Sequence, residues 1–443
     1  MRGLVAAIAL FALVGTGDGA AVLQSSPDQI TMIEDLPWAE LARLAMDHDH
    51  LSEALEPLGY RPSGGVEIYL MEVVPGVGQP AYLMHDAGDG AFSIKFWPAS
   101  SVKLMVTVAA LSALADLGFT GDAVVRLGHG EPTSVASIYW DALVRSSNVA
   151  YDQLIQITGL DYLNQTFIPD EGLDSMIIGS TLSGLSVEWP PPYTLTEGGR
   201  LGWLRSVLPE WIGEPAELRQ ADVPARSAQH RYRDNDTNLF DLVEVLRRVA
   251  LQNELPPGEG FGLGTADLRR VNAALCAAEP KNFEAGAQLA LGPEVTVCNK
   301  AGWSRGRCTD VALIIDTATG RRFFLGAAAR CGSQIRTIGQ AVMTAAVGLT
   351  GTPLQPDDGL PIEVALELED GHVVATVDMD ADSGLVWVDS GNPVMLQRDR
   401  DHLSADLGQI TEGRHILVVQ GTSSGTNVGY RSVGFELRTA PTD

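Results

Sequence analysis

The chain has 443 residues, 45% of them hydrophobic and 19% charged, enough for two or three globular domains with an ample core. Its formal net charge of −26 argues against nucleic acid and anionic membrane surfaces as partners, since both need a basic counterpart. Lysine is scarce: Lys95, Lys103, Lys281 and Lys300 are the whole set, so each one carries information.

Met1 and Arg2 precede an apolar run from Leu4 to Val14 and the small residues Gly19-Ala20-Ala21. That is the layout of a secretory signal cleaved after Ala21, too short for a membrane span. It predicts a periplasmic or secreted protein over 22–443. Leu36 to Leu58 has helical periodicity. Val66–Val74 and Ala81–His85 read as strands joined by Pro75-Gly76-Val77-Gly78. Phe96-Trp97-Pro98-Ala99-Ser100-Ser101-Val102-Lys103 leads into a buried apolar helix that ends at Gly118. Val124–Leu127 is extended, Ser134–Leu143 is helical, and Ser146-Ser147-Asn148 separates it from a second helix, Ala150–Ile157. Residues 182–238, with Pro190-Pro191-Pro192 and three tryptophans, read as a long, partly ordered excursion with a short helix around Ala216–Gln220. Asp236-Thr237 is expected to cap a helix running to Leu251, and Thr265 opens another to Ala278. Val295–Trp303, Asp310–Asp316 and Phe323–Ala327 are strands, followed by an amphipathic helix from Gln334 to Val347. After a proline-containing linker at 351–355, residues 351–443 show short strands and no helical pattern, which predicts an all-β sandwich.

Four cysteines in an exported chain predict two disulfides, with three possible connectivities. Folding the hairpin about Thr317–Gly320 sets Cys308 opposite Cys331, leaving Cys276 for Cys298. A zinc site is the rival reading, but no C-x-x-C spacing supports it.

Three short motifs carry chemistry. Ser100 and Lys103 are three apart and share a helix face. A serine hydroxyl becomes a nucleophile when a base takes its proton, and a buried lysine is such a base once it is neutral. The plainer reading is a helix start whose lysine reaches solvent. Ser146 and Asn148 break two apolar helices; they read either as a proton shuttle and an amide ligand or as an N-cap pair. Lys300-Ala301-Gly302 ends a strand, where the lysine suits an electropositive wall and the glycine a close backbone approach.

Taken together and in this order, Ser100-x-x-Lys103, Ser146-x-Asn148 and Lys300-x-Gly302 resemble the serine penicillin-recognising enzymes, class A β-lactamases above all, over roughly Val66 to Leu349. Tyr139–Leu143 before the second motif and Asp310–Ile314 after the third agree with that family. The resemblance implies an α+β fold: an antiparallel sheet flanked by helices with a helical subdomain, over 22–350. Gly413–Val419 with Asn427-Val428-Gly429 resembles the last hairpin of bacterial immunoglobulin-like domains, so 351–443 is expected to be an immunoglobulin-like sandwich that contacts wall or protein.

The resemblance also implies roles. Ser100 would be acylated, Lys103 would take its proton, Ser146 would protonate the leaving nitrogen, and Asn148 would hold the substrate amide. Lys300 would supply positive potential, and the N–H groups of Ser100 and Trp303 would form the oxyanion hole beside Gly302. No metal and no cofactor is implied. Two departures stand out. Ala301 replaces the usual hydroxyl residue, so Arg305 or Arg307 is expected to grip a substrate carboxylate. No E-x-x-L-N follows Ser146, and of Glu171, Glu188 and Glu197 only Glu188 is a candidate, a poor one, for activating the deacylating water. The expected activity is an exported β-lactamase-like serine hydrolase acting on a β-lactam or related amide. The alternatives are a slowly deacylating penicillin-binding DD-peptidase acting on peptidoglycan peptides, and a non-catalytic wall-binding or sensor protein.

Overall fold

A computed structural model describes residues 30–33, 38–74, 80–92, 95–127, 130–160, 162–177, 193–204, 235–304, 306–331, 333–349, 362–369, 371–389, 391, 393–399, 402–423 and 426–438. The signal segment, the linker at 351–355 and the short helix expected at 216–220 lie outside these residues.

The chain begins with β1 (Ile30–Ile33), α1 (Trp38–Ala45) and α2 (His50–Leu55), then β2 (Glu67–Val74) and β3 (Ala81–Gly88). The helical part follows as α3 (Lys103–Asp116), β4 (Val124–Leu127), β5 (Thr133–Ser134), α4 (Val135–Leu143) and α5 (Asn148–Thr158). Next come β6 (Tyr193–Glu197), β7 (Arg200–Leu204), α6 (Leu239–Ala250), α7 (Thr265–Ala277) and α8 (Glu284–Leu291). The chain returns through β8 (Val295–Trp303), β9 (Cys308–Asp316), β10 (Arg322–Ala329) and α9 (Gln334–Leu349).

Strands β3-β2-β10-β9-β8 form one antiparallel sheet in that order. Its strands are apolar on both faces because both are covered. Tyr69, Met71, Val311, Leu313 and Phe324 enter a core with α3 and α6, while Ile68, Leu70, Ala312, Ile314 and Phe323 enter a second core with α9 and α2. This is the period of two expected for strands. Helix α3 is buried on nearly every side, which is why its sequence shows little amphipathic pattern.

Several expectations need correction. The single helix expected over 36–58 is broken at Asp47, whose carboxylate accepts from the N–H groups of Asp49 and His50 and whose backbone bridges to β3. Asn238, not Asp236 or Thr237, caps α6: its Oδ1 accepts from Asp241 N at 2.7 Å. Within the 182–238 region, β6 and β7 form a hairpin in a four-stranded sheet ordered β5-β4-β6-β7. Helix α8 was not anticipated.

The C-terminal part is all-β: β11 (Ile362–Glu369), β12 (His372–Met379), β13 (Ser383–Val388), β14 (Val394–Asp399), β15 (His402–Asp406), β16 (Gly413–Ser423) and β17 (Thr426–Leu437). They join one eight-stranded sheet, and its eighth strand is β1, paired antiparallel to β17. Residues 30–33 therefore pack with the C-terminal module rather than with the part that follows them in sequence. The module also meets α1, where Arg414 pairs with Glu40 at 3.1 Å.

Candidate active site

Pro98 starts the turn that carries Ser100. Ala99 takes a left-handed φ of 51°, and Ala99–Val102 form one 3-10 turn that runs into α3. A positive φ at a residue with a Cβ is strained and persists only where its surroundings hold it. Ser101 turns away, its Oγ donating to Pro98 O at 2.7 Å. Ser100 is left on the same side as Lys103, and Lys103 Nζ lies 3.0 Å from Ser100 Oγ.

Lys103 does not reach solvent; it is 2% exposed. Its Nζ also lies 2.5 Å from Ser146 O, 2.8 Å from Asn148 Oδ1 and 3.3 Å from Ser146 Oγ. The two carbonyl oxygens can only accept. When the amine is neutral, its two N–H bonds can go to these oxygens and its lone pair can face the Ser100 hydroxyl. Burial, and then the nearby charge of Lys300, push the Lys103 amine down to about 7, against a raising influence from Asp152.

The loop between α4 and α5 divides its labour. Ser147 is the N-cap, its Oγ accepting from Ala150 N at 3.2 Å. Ser146 and Asn148 are thereby released from capping and face Lys103. Ser146, like Ala99, has a positive φ, here 53°. Its Oγ accepts from Lys300 Nζ at 3.0 Å, so one hydroxyl stands between the two buried amines.

Lys300 is also 2% exposed, and its Nζ donates to Ala301 O at 3.0 Å as well. Burial pushes it down to about 8, opposed by Asp310. Asp310 is fully buried in the neighbouring strand, held by the amides of Asn299 and Asn282 and pushed up to about 6 by burial against those hydrogen bonds. Gly302 is where the sheet touches the Ser100 turn. A Cβ there would lie 2.3 Å from Pro98 O and 3.1 Å from Ser100 N, so only glycine allows the approach. Trp303 follows at the end of β8, the edge strand, 76% exposed.

Ser100, Lys103, Ser146, Asn148, Lys300 and Gly302 thus come together. Arg307 does not join them freely. Its Nη2 donates to the buried Glu67 of β2, and its guanidinium lies 4.6 Å over the Phe96 ring. A buried anion of its own thus already shares the guanidinium expected to grip a substrate carboxylate. Arg305 and Glu188 lie outside the described residues. Glu171 pairs with Arg248, and Glu197 accepts from Thr120 N at 2.9 Å.

Two disulfides brace the wall. Cys276–Cys298 ties α7 to β8 two residues before Lys300, and Cys308–Cys331 ties the start of β9 to the segment just after β10. Sequence reasoning missed the buried carboxylates Asp152 and Asp310. Asp152 lies four residues after Asn148, on the same face of α5, and that spacing was available as a signal. Glu67 had no such signal, because its partner is 240 residues away.

No family model and no curated protein matches the chain. Among solved structures, a class A β-lactamase from Mycobacterium abscessus is similar at 15% identity and a TM-score of 0.44, covering 68% of this chain and 100% of that one. A β-lactamase from Burkholderia vietnamiensis is similar at 14% identity and a TM-score of 0.44, covering 68% and 97%. PBP-A, solved as an acyl-enzyme complex with penicillin G, is similar at 15% identity and a TM-score of 0.43, again covering 68% and 97%.

Proposed function

We propose that the protein is an exported serine hydrolase that opens a β-lactam or related amide through an acyl-Ser100 intermediate. The observation that carries this reading is the amine of Lys103, buried, held down to about 7 and 3.0 Å from Ser100 Oγ. In the first step neutral Lys103 takes the hydroxyl proton as Ser100 Oγ bonds to the substrate carbonyl carbon. The carbonyl electrons move onto oxygen, where the N–H groups of Ser100 and Trp303 receive them. The tetrahedral adduct collapses as the carbon–nitrogen bond breaks. Ser146 gives its proton to the leaving nitrogen and regains one from Lys103, along the 3.3 Å contact between them. Charged Lys300 beside Ser146 eases that loss of a proton, and Asn148 holds the acyl-side amide.

A second reading keeps the acylation and changes the outcome: a penicillin-binding DD-peptidase whose acyl-enzyme with a β-lactam persists. The engagement of Glu171 with Arg248 and of Glu197 with Thr120 favours it, since each carboxylate already serves a partner outside the Ser100, Lys103 and Ser146 group. We assign residues 351–443, expected as an immunoglobulin-like sandwich, to contact with wall or protein. Intact mass followed over time after mixing with a penicillin tests the proposal. A transient adduct with turnover supports the hydrolase, and a persistent one supports the second reading. No adduct, or full turnover by Ser100→Ala, overturns both.

A further inference from the structure

Glu67 places a fully buried carboxylate at the start of β2, and its Oε2 accepts from Arg307 Nη2. Its Oε1, Arg307 Nε and Thr309 Oγ1 are buried without a hydrogen-bond partner among the described residues. A carboxylate taken out of water, even with a cation beside it, gains little stability over an apolar side chain of similar volume. Polar atoms left over add to the cost. Stability therefore does not account for the pair, and its position does.

Glu67 pairs with Ala328, Ala328 with Thr309, and Thr309 with Gly302, in one row across β2, β10, β9 and β8. Directly paired residues of an antiparallel sheet face the same side. Glu67 and Thr309 thus share the face on which Gly302 meets Pro98 O and Ser100 N. Arg307 stands two residues before Thr309, in the turn between β8 and β9, and bridges back to Glu67. Its guanidinium lies 4.6 Å over the ring of Phe96, a buried residue four before Ser100.

Both ends of that ring contact are fixed. Phe96 N–H donates to Thr237 O at 2.8 Å, and Phe96 O accepts from Thr237 N at 3.1 Å. Arg307 O accepts from Ser304 N at 3.0 Å, and Arg307 N–H donates to Ser304 Oγ at 3.1 Å, directly after Trp303. One cation therefore ties together β2, the lead-in to the nucleophile and the end of the strand that carries the Trp303 N–H.

We infer that Glu67 and Arg307 are positioning residues, a charged brace that fixes the spacing between the Ser100 turn and the end of β8. The inference rests on the acyl-Ser100 reading above, in which the N–H groups of Ser100 and Trp303 receive the carbonyl electrons. Those two donors come from the two segments that the brace joins. Its loss lets them drift apart, and a misplacement of about 1 Å at a reacting centre costs about a hundredfold in rate.

Benzylpenicillin is the probe. The saturating rate of adduct formation at Ser100 and the half-saturating concentration are measured by intact mass for the wild type, Glu67→Leu and the double variant Glu67→Leu/Arg307→Met, with thermal unfolding alongside. In Glu67→Leu the saturating rate is expected to fall roughly 10- to 100-fold. The double variant leaves no unpaired buried charge, so its unfolding temperature should return towards that of the wild type while the saturating rate stays low. A merely structural pair would give a rate that recovers with stability. A guanidinium that only awaits a substrate carboxylate would, once Glu67 is gone, lower the half-saturating concentration with no loss of rate. Either result overturns this inference alone. Should Glu67→Leu fail to fold, the saturating rate of the double variant decides, and a wild-type value there overturns the brace. Failure of the wild type to form an adduct overturns the acyl-Ser100 reading and this inference with it.

Discussion

Lys300→Met separates the two buried amines and tests how the base is made. Nζ of Lys103 and Nζ of Lys300 approach the same Ser146 Oγ at 3.3 and 3.0 Å. The nitrogens thus stand no more than about 6 Å apart, where two unit charges repel by about 3 kcal/mol at an effective dielectric near 20 and about 0.7 kcal/mol in water. Removing Lys300 relieves that repulsion, so the Lys103 amine rises from about 7 by roughly half a unit to two units. The sign follows from the role: Lys103 accepts a proton only when neutral, so the acid limb of the acylation rate moves up with it. At neutral pH the neutral fraction drops by roughly 2- to 50-fold, before any loss from the missing contact to Ser146. The assay is the second-order rate of adduct formation with a penicillin, taken from about pH 5.5 to about pH 9.5. In the wild type the profile is expected to rise through about 7 and fall above about 8, as Lys300 itself loses its proton. An acid limb in Lys300→Met at or below that of the wild type would refute the reasoning.

Asp152→Asn should act in the opposite direction. This fully buried carboxylate raises Lys103, so its loss moves the acid limb below the wild-type position, and an unmoved limb in the same pH profile would remove Asp152 from the account. Gly302→Ala sets a Cβ 2.3 Å from Pro98 O, and neither backbone can yield. Adduct formation should fall at least about a hundredfold as the oxyanion wall leaves the Ser100 turn. Thermal unfolding should register a loss of about 1–3 kcal/mol. A wild-type rate in that variant would show that the contact is looser than its geometry indicates.

Much of this was legible in the chain itself, for identifiable reasons. The strands of the five-stranded sheet declare themselves because both faces are buried, and their apolar runs end at turn residues such as Thr317–Gly320. The lysines declare themselves through scarcity. What failed to show was whatever depends on distant partners. The helix expected over 36–58 breaks because Asp47 bridges to a strand almost forty residues later, and periodicity cannot report that. Strand β1 looks like an unremarkable leader to α1, yet its partner β17 lies at the other end of the chain. Arg307 reads as a free cation in sequence, and only the fold brings Glu67 to it. At 146–148 the rival reading of Ser146 and Asn148 as a capping pair fails for a local reason. Three consecutive polar residues can each cap a helix, and backbone geometry selects the middle one.

The two amines share one environment of burial, yet they separate into a base and a charge. Burial alone would lower both. Each has a carboxylate that partly restores it: Asp152 from α5 for Lys103, and Asp310 from the neighbouring strand for Lys300. The difference is that Lys103 also feels the charge of Lys300. Lys103 therefore releases its proton first, near 7, and Lys300 keeps its own until about 8. Paired groups whose surroundings drive their proton affinities apart are how one site runs acid and base chemistry at a single pH. The interval between the two is narrow, and the repulsion between the amines links the two titrations. Changing the charge at either carboxylate should then move the working window as a whole, in addition to the limb it nominally governs.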